Sequence, residues 1–207
     1  MPTQLTLQTL GQFTGRDETR YRLTAPLIYD NTIIATDGRV ALIIEDPAPS
    51  LMEETRQSLS QWQEAAEASM PPTTGDMLTM ANRCHNLGAD FTLPDLPAID
   101  LCDTCQGTSF VDADGYPISP DHVPAIPWNL PEGIAWCDDC DHGETRAKID
   151  IGPATFVSDK LRPIAAIMPM PGCRIHYVAD SKAHMLTASG VIDGTRILCC
   201  LMSLGIR

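Results

Sequence analysis

The residues best suited to chemistry are four cysteines in two pairs, Cys102-Asp-Thr-Cys105 and Cys137-Asp-Asp-Cys140. A Cys-x-x-Cys turn can aim both sulfurs at one point, and two such turns supply four thiolates. Four thiolates at about 2.3 Å satisfy tetrahedral zinc and leave no position for water. The expectation is therefore a closed, structural Zn2+ site with Cys102, Cys105, Cys137 and Cys140 as ligands. About 30 residues separate the pairs, more than the roughly 15–20 of a compact ribbon, so an enlarged loop is expected between the knuckles. Two disulfides, or one redox pair beside an idle one, would use the same residues and stay open at this stage. His142 follows Cys140 closely and His122 lies in the intervening loop. Either could replace a sulfur, although a lone loop histidine is ordinarily just solvated.

Long elements cannot form around these cysteines. Pro94, Pro97, Pro117, Pro120, Pro124, Pro127 and Pro131 punctuate residues 90–135. Phe110-Val111 and Tyr116-Pro117-Ile118 read as the arms of a hairpin around Asp114-Gly115. Asp112-Ala-Asp-Gly115 opens like a calcium loop but lacks the later carboxylate of one, so it reads as a β-turn. Trp128 and Trp136 are placed as covers over the knuckles. Their other use, a platform for stacking bases, needs basic neighbours, and no Lys or Arg occurs between Arg83 and Arg146.

The flanking segments must carry this insert. Leu5, Leu7, Leu10 and Phe13 alternate weakly and leave a strand or a short helix open. Residues 20–45 read as a β-meander, with turn chemistry at Asp30-Asn31 and a type I′ signal at Asp37-Gly38. Ser50 with Glu53 forms a capping-box pattern, and Leu51, Thr55, Leu59, Trp62 and Ala66 recur at helical spacing to about residue 69. A second short helix is expected over residues 76–86, with Cys84 and His85 at its end. Beyond the insert, residues 145–151 alternate as a strand. Ser158 then caps a helix to residue 167, with Pro163 near its first turn. Residues 173–178, 183–187 and 196–202 read as three more strands, with His176 and His184 as ordinary sheet residues on neighbouring ones. Neither flank has enough strands to protect both faces of a sheet. The expected fold class is therefore α+β, with residues 1–89 and 145–207 interleaved in one domain and residues 90–144 a Pro-rich, zinc-ribbon-like insertion.

Two patches carry a family resemblance. Residues 21–44, centred on Ile34-Ala-Thr-Asp-Gly-Arg39, resemble the Thr-Asp-Gly strand-turn-strand of bacterial and phage DNA polymerase sliding-clamp domains. The stretch Gly194-Thr-Arg-Ile-Leu-Cys-Cys-Leu-Met202 is similar to the closing strand of such domains, with Ser203 where the family has proline. The resemblance implies a clamp-like module of antiparallel strands and two helices, and a role near DNA replication.

Composition narrows the function. The net charge is −13 over 207 residues. That charge argues against direct nucleic-acid binding, which draws on cations that replace condensed counterions, and it allows an acidic surface that occupies a basic groove. The first ~20 residues hold Arg16 and Arg20 without the apolar stretch of a signal peptide. No run of about 18 apolar residues suits a membrane span. Cys84, Cys173, Cys199 and Cys200 then read as buried thiols, and the compartment as a reducing cytoplasm. No P-loop, Gly-x-Ser-x-Gly, dinucleotide fingerprint or deaminase arrangement is present, so no catalysis is expected. The leading expectation is a non-catalytic, zinc-stabilised interaction protein of phage type that presents a surface to a protein partner. Two alternatives stand beside it. One is an acidic anti-defence inhibitor using Asp138, Asp139 and Asp141 against a nucleic-acid-binding machine. The other is a zinc-dependent nucleic-acid binder using Arg146, Lys148, Lys160 and Arg162 as a sparse basic face.

Overall fold

An apolar run, Val-Ala-Leu-Ile-Ile, makes residues 40–44 a strand buried along its whole length, as such short continuous runs do when both faces are covered. The computed structural model describes residues 5–15, 24–59, 89–90, 92–93, 96, 100–124, 128–140, 148–167, 174–179, 184–192, 194–202 and 205–206. Its fold is mixed α+β, with antiparallel sheets and few helices. The strands in chain order are β1 (Leu27–Tyr29), β2 (Thr32–Thr36), β3 (Val40–Glu45), β4 (Ala89–Asp90), β5 (Phe110–Asp112) and β6 (Ile134–Trp136). They continue as β7 (Lys148–Ile151), β8 (Ala154–Val157), β9 (Arg174–Ala179), β10 (His184–Ile192), β11 (Thr195–Met202) and β12 (Gly205–Ile206). The helices among the described residues are α1 (Leu7–Gly11), α2 (Pro49–Leu59) and α3 (Ser158–Ile167), with a 3-10 turn at Pro120–His122.

Seven strands form one sheet in the order β1-β2-β3-β11-β10-β9-β4. The central joint is β3 against β11, where Val40 faces Leu201 and Ile44 faces Ile197. Strands from before and after the cysteine segment thus alternate in one hydrogen-bonded layer. A smaller sheet has the order β12-β8-β7, and β5-β6 stand apart as a two-stranded ladder. Strand alternation splits the large sheet into two apolar faces. Ile33, Leu42, Ile44, Ile197 and Cys199 join Leu161, Ile164 and Phe13 in the main core. Ile34, Ile43 and Leu198 form a second, smaller cluster.

The turn expected at Asp30-Asn31 forms, whereas others differ from expectation. Asp30 and Asn31 both take positive φ, 42° and 59°, in the two-residue loop between Tyr29 and Thr32. That is the type I′ signature. At Asp37-Gly38 only Gly38 is left-handed, with φ 87°. The turn there is wider because the Asp37 carboxylate accepts the N–H groups of Arg39 and Val40, both at 2.8 Å. Gly152, with φ 58°, turns β7 directly into β8, a hairpin the sequence reading missed. Strand β10 runs on to Ile192, beyond the expected 187.

The helices are corrected likewise. The N-terminal segment is the short helix α1, held by a reciprocal Thr6–Thr9 capping box. Helix α2 starts at Pro49 rather than after Ser50, so the Ser50/Glu53 capping box does not form. Proline is well placed there, since a first-turn N–H has no intrahelical partner anyway. Leu51, Thr55 and Leu59 are buried at the expected spacing. Its continuation past residue 59, with Trp62 and Ala66, and the helix expected at 76–86 lie outside the described residues, as do Cys84, His85 and Cys173. In α3, Ser158 is already helical and Pro163 sits in the interior, where it gives no N–H to the carbonyl four residues back.

Lys160 overturns one functional expectation. It is buried on α3, and its Nζ lies 2.9 Å from Asp37 Oδ2, with side-chain exposures of 5 % and 9 %. It therefore pins the β2–β3 turn to α3 and cannot form part of an exposed basic face. Arg146, another member of that face, lies outside the described residues. Removing one partner of a buried ion pair leaves the other charge stranded, at a cost of about 3–5 kcal/mol. Lys160→Met should destabilise the chain by about that much in chemical denaturation, and adding Asp37→Asn should recover part of it. A change near zero in the single variant would show that the pair does not anchor the turn.

Candidate metal centre

Each cysteine pair is set by its own turn and by a short ladder between them. Gln106 N–H donates to the Cys102 carbonyl at 2.7 Å, and Thr108 N–H to that of Cys105 at 3.0 Å, which curls the first knuckle. Gln106 and Gly107 follow Cys105 with φ of 52° and 87°, and Ser109 takes 72°. A left-handed Gln and Ser cost about 1–3 kcal/mol each and persist only where the surroundings fix them. Gly107 meets the same demand without a Cβ, which would in any case lie 2.8 Å from Leu101 Cδ2. The chain then enters β5, which pairs with β6 so that Phe110 faces Trp136. Their rings lie 4.4 Å apart between centroids. Past that pair, Cys137 N–H donates to the Ser109 carbonyl at 2.9 Å. The second knuckle is delivered opposite the first.

The four sulfurs converge. Cys102 Sγ lies 3.8 Å from Cys137 Sγ, and Cys105 Sγ lies 3.6 Å from Cys140 Sγ. All four fall within 4.8 Å of one another. These separations exceed the ~2.05 Å of a disulfide, and all four cysteines are free. For four sulfurs about 2.3 Å from a central ion, the tetrahedral edge is about 3.8 Å. The donor set and its spacing could therefore hold a metal ion. Cys102, Cys105 and Cys137 are buried, and Val111 packs among them. Thr104 donates its hydroxyl to Asp139 at 2.6 Å, tying the third residue of one knuckle to the third of the other.

Burial opposes charge on Cys102, yet the N–H groups of Cys105 and Thr104, with the thiols of Cys137 and Cys140, outweigh it and bring the pKa down to about 7. Cys137 goes the other way: burial pushes it up, against a hydrogen bond from Asp139 N–H. Cys102 has two N–H donors to one for Cys137, and their shared sulfur contact favours charge on Cys102 while opposing it on Cys137, as does the neighbouring Cys105.

The other candidates fall away from this cluster. His122 is in the 3-10 turn, outside the group of sulfurs. His142 and Asp141 lie outside the described residues. In the ladder His176 faces Thr187 and His184 faces Ala179. These two pairs are three steps apart along the ladder, which puts the two histidine positions on opposite faces of the sheet. Asp112 spends its carboxylate on the N–H groups of Asp114 and Tyr116, the expected turn. The expected hairpin forms but stays short: Val111 bridges Pro117 and Asp112 N–H donates to the Tyr116 carbonyl at 2.9 Å, while Pro117 has no N–H to give to a ladder. Neither tryptophan joins the cysteine cluster: Trp136 packs on Phe110, and Trp128 does not cover the cysteines. It joins the main core, 6 % exposed, with no hydrogen-bond partner for Nε1 among the described residues. The sequence reading missed Thr104, Ser109 and Val111. The Gly two residues after Cys105 was the available signal that this knuckle needs a left-handed exit.

No protein-family model matches the chain, and neither a curated protein nor a solved structure shows significant similarity to it. No described helix is long and apolar enough to cross a membrane.

Metal uptake should release protons. Below about pH 7 Cys102 gains a proton that competes with an ion, and Cys137 stays protonated to higher pH. Metal affinity should therefore rise as pH increases through neutrality. Titration in weak buffer with a pH indicator checks this, and uptake with no proton release would contradict a thiolate site.

Proposed function

We propose that Cys102, Cys105, Cys137 and Cys140 bind one Zn2+ ion in a closed site, and that the chain is a non-catalytic interaction protein whose zinc-stabilised insert faces a protein partner. The observation that carries this reading is the approach of four free sulfurs to within 4.8 Å of one another. Sulfur-only ligation suits zinc, and four thiolates saturate it, so the ion would hold the insert together rather than activate water. On this reading residues 90–144 are a zinc-ribbon-like insertion in a clamp-like α+β module. The Thr36-Asp37-Gly38 turn and the 194–202 strand, which carried the resemblance, lie on β2–β3 and its neighbour β11. A replication accessory is the version this resemblance favours.

The metal is tested by mass spectrometry of the native protein beside a Cys102→Ser, Cys105→Ser variant. One zinc per chain is expected, lost in the variant while far-UV circular dichroism keeps the sheet signal. Metal-free protein with titratable or disulfide-linked cysteines would remove this reading. The partner class is tested by affinity capture with the metal-loaded chain. Recovery of nucleic acid alone, with no protein, would reject it.

A second reading has its own observation. Asp103, Asp138 and Asp139 are exposed on the knuckles, which suits an acidic inhibitor that competes with nucleic acid for a basic partner. Charge reversal at Asp138 and Asp139 should then weaken capture and its competition by DNA, and unchanged capture would set this version aside.

A further inference from the structure

A cleft of about 530 Å3 opens between the cysteine insert and the helical side of the large domain. Gln8 and Gln12 line it from α1 and its C-cap, Arg162 from α3, and Gln106, Phe110 and Trp136 from the insert. Its size falls within the roughly 300–1,000 Å3 of ligand clefts. The wall on the insert side is the exit of the first knuckle. Gln106 and Ser109 are held left-handed there, and the hydrogen bonds to Cys102, Cys105 and Cys137 fix the backbone between them.

We propose that this cleft docks an extended segment of a protein partner, one with an apolar anchor side chain flanked by Lys or Arg. The proposal rests on the interaction-protein reading above and names its surface. Three side-chain amides, on Gln8, Gln12 and Gln106, each offer donors and an acceptor, the complement of peptide N–H and C=O groups. Trp136, stacked on Phe110, with Pro120, Val123 and Pro124, supplies a shelf for one apolar side chain. Charge selects the flanks. Arg162 is the one cation among the described lining residues and is already engaged within the chain. The exposed carboxylates of Asp103 and Asp138 lie within three residues of Gln106 and Trp136 in the chain. With a net charge of −13, the approach to the cleft repels anions and draws cations. A phosphate-bearing ligand would meet that repulsion, and the described lining residues offer no cluster of cations to offset it. Because the insert supplies one wall, docking depends on the cysteine centre being intact.

The test is selection of a displayed random peptide library on the metal-loaded full chain, followed by affinity measurement of the enriched peptides. Peptides with an apolar residue between Lys or Arg are expected, binding more weakly as salt rises. Gln8 and Gln12 are exposed, so the double variant Gln8→Lys, Gln12→Lys should keep its fold and metal while weakening those peptides by about tenfold through like-charge repulsion. Trp136→Ala should weaken them similarly, with metal content measured alongside. Enrichment of acidic peptides, or affinities that ignore the Gln8 and Gln12 changes, would overturn the cleft assignment and leave the interaction-protein reading standing. A library that enriches nothing would also overturn it, whereas the broader reading falls only if affinity capture recovers no protein.

Discussion

Sulfur atoms brought this close, as thiolates, repel one another and need a cation between them. That constraint would organise the cysteine segment. Cys102 and Cys105 lie on one knuckle and Cys137 and Cys140 on another, and both knuckles leave or enter the two-stranded β5–β6 ladder. The ladder has only three residue pairs, too few to be stable alone. Its Phe110–Trp136 contact, the Cys137–Ser109 hydrogen bond and the Thr104–Asp139 bond supplement it. An ion at the centre would convert this set of small contacts into one closed loop. In its absence the left-handed Gln106 and Ser109 would lose much of what holds them.

The large sheet answers to a different constraint. Its sheet is continuous only because β11 lies between β3 and β10, so residues far apart in the chain must meet before the layer closes. The buried Asp37–Lys160 pair does related work, tying a hairpin turn of the first part to the helix of the last. The cysteine segment leaves and returns between these two parts. It is not wholly separate from the core, since Trp128 is buried there and Leu93 and Leu96 pack against it. Movement of the cysteine segment would therefore be felt by the core.

Much of this was readable from residue types alone, where local chemistry decides the outcome. Cys-x-x-Cys spacing announces a turn with converging sulfurs, and the four sulfurs do converge. The β-branched and aliphatic runs announce strands, and β2, β3, β9 and β11 lie where these runs are. What could not be read depends on partners distant in the chain. Lys160 looked like an exposed cation on a helix because its partner, Asp37, is more than half the chain away. Trp128 looked like a cover for the cysteines because of its position in the insert, whereas packing took it into the core. Ile134–Trp136 was too short to read as a strand, and only its pairing with Phe110–Asp112 makes it one. At Asp37-Gly38 the type I′ pattern lost to a competing local bond, since the carboxylate caps two N–H groups and widens the turn.

The central claim is that four cysteine sulfurs surround one zinc ion. X-ray absorption at the zinc edge of the purified, metal-loaded chain tests it most directly. A four-cysteine zinc site gives a shell of four sulfur scatterers at about 2.3 Å and no lighter neighbour in the first shell. A shell in which nitrogen or oxygen replaces two or more sulfurs would contradict it. The cluster would then be an open or mixed site, and the argument for a purely structural ion would fail.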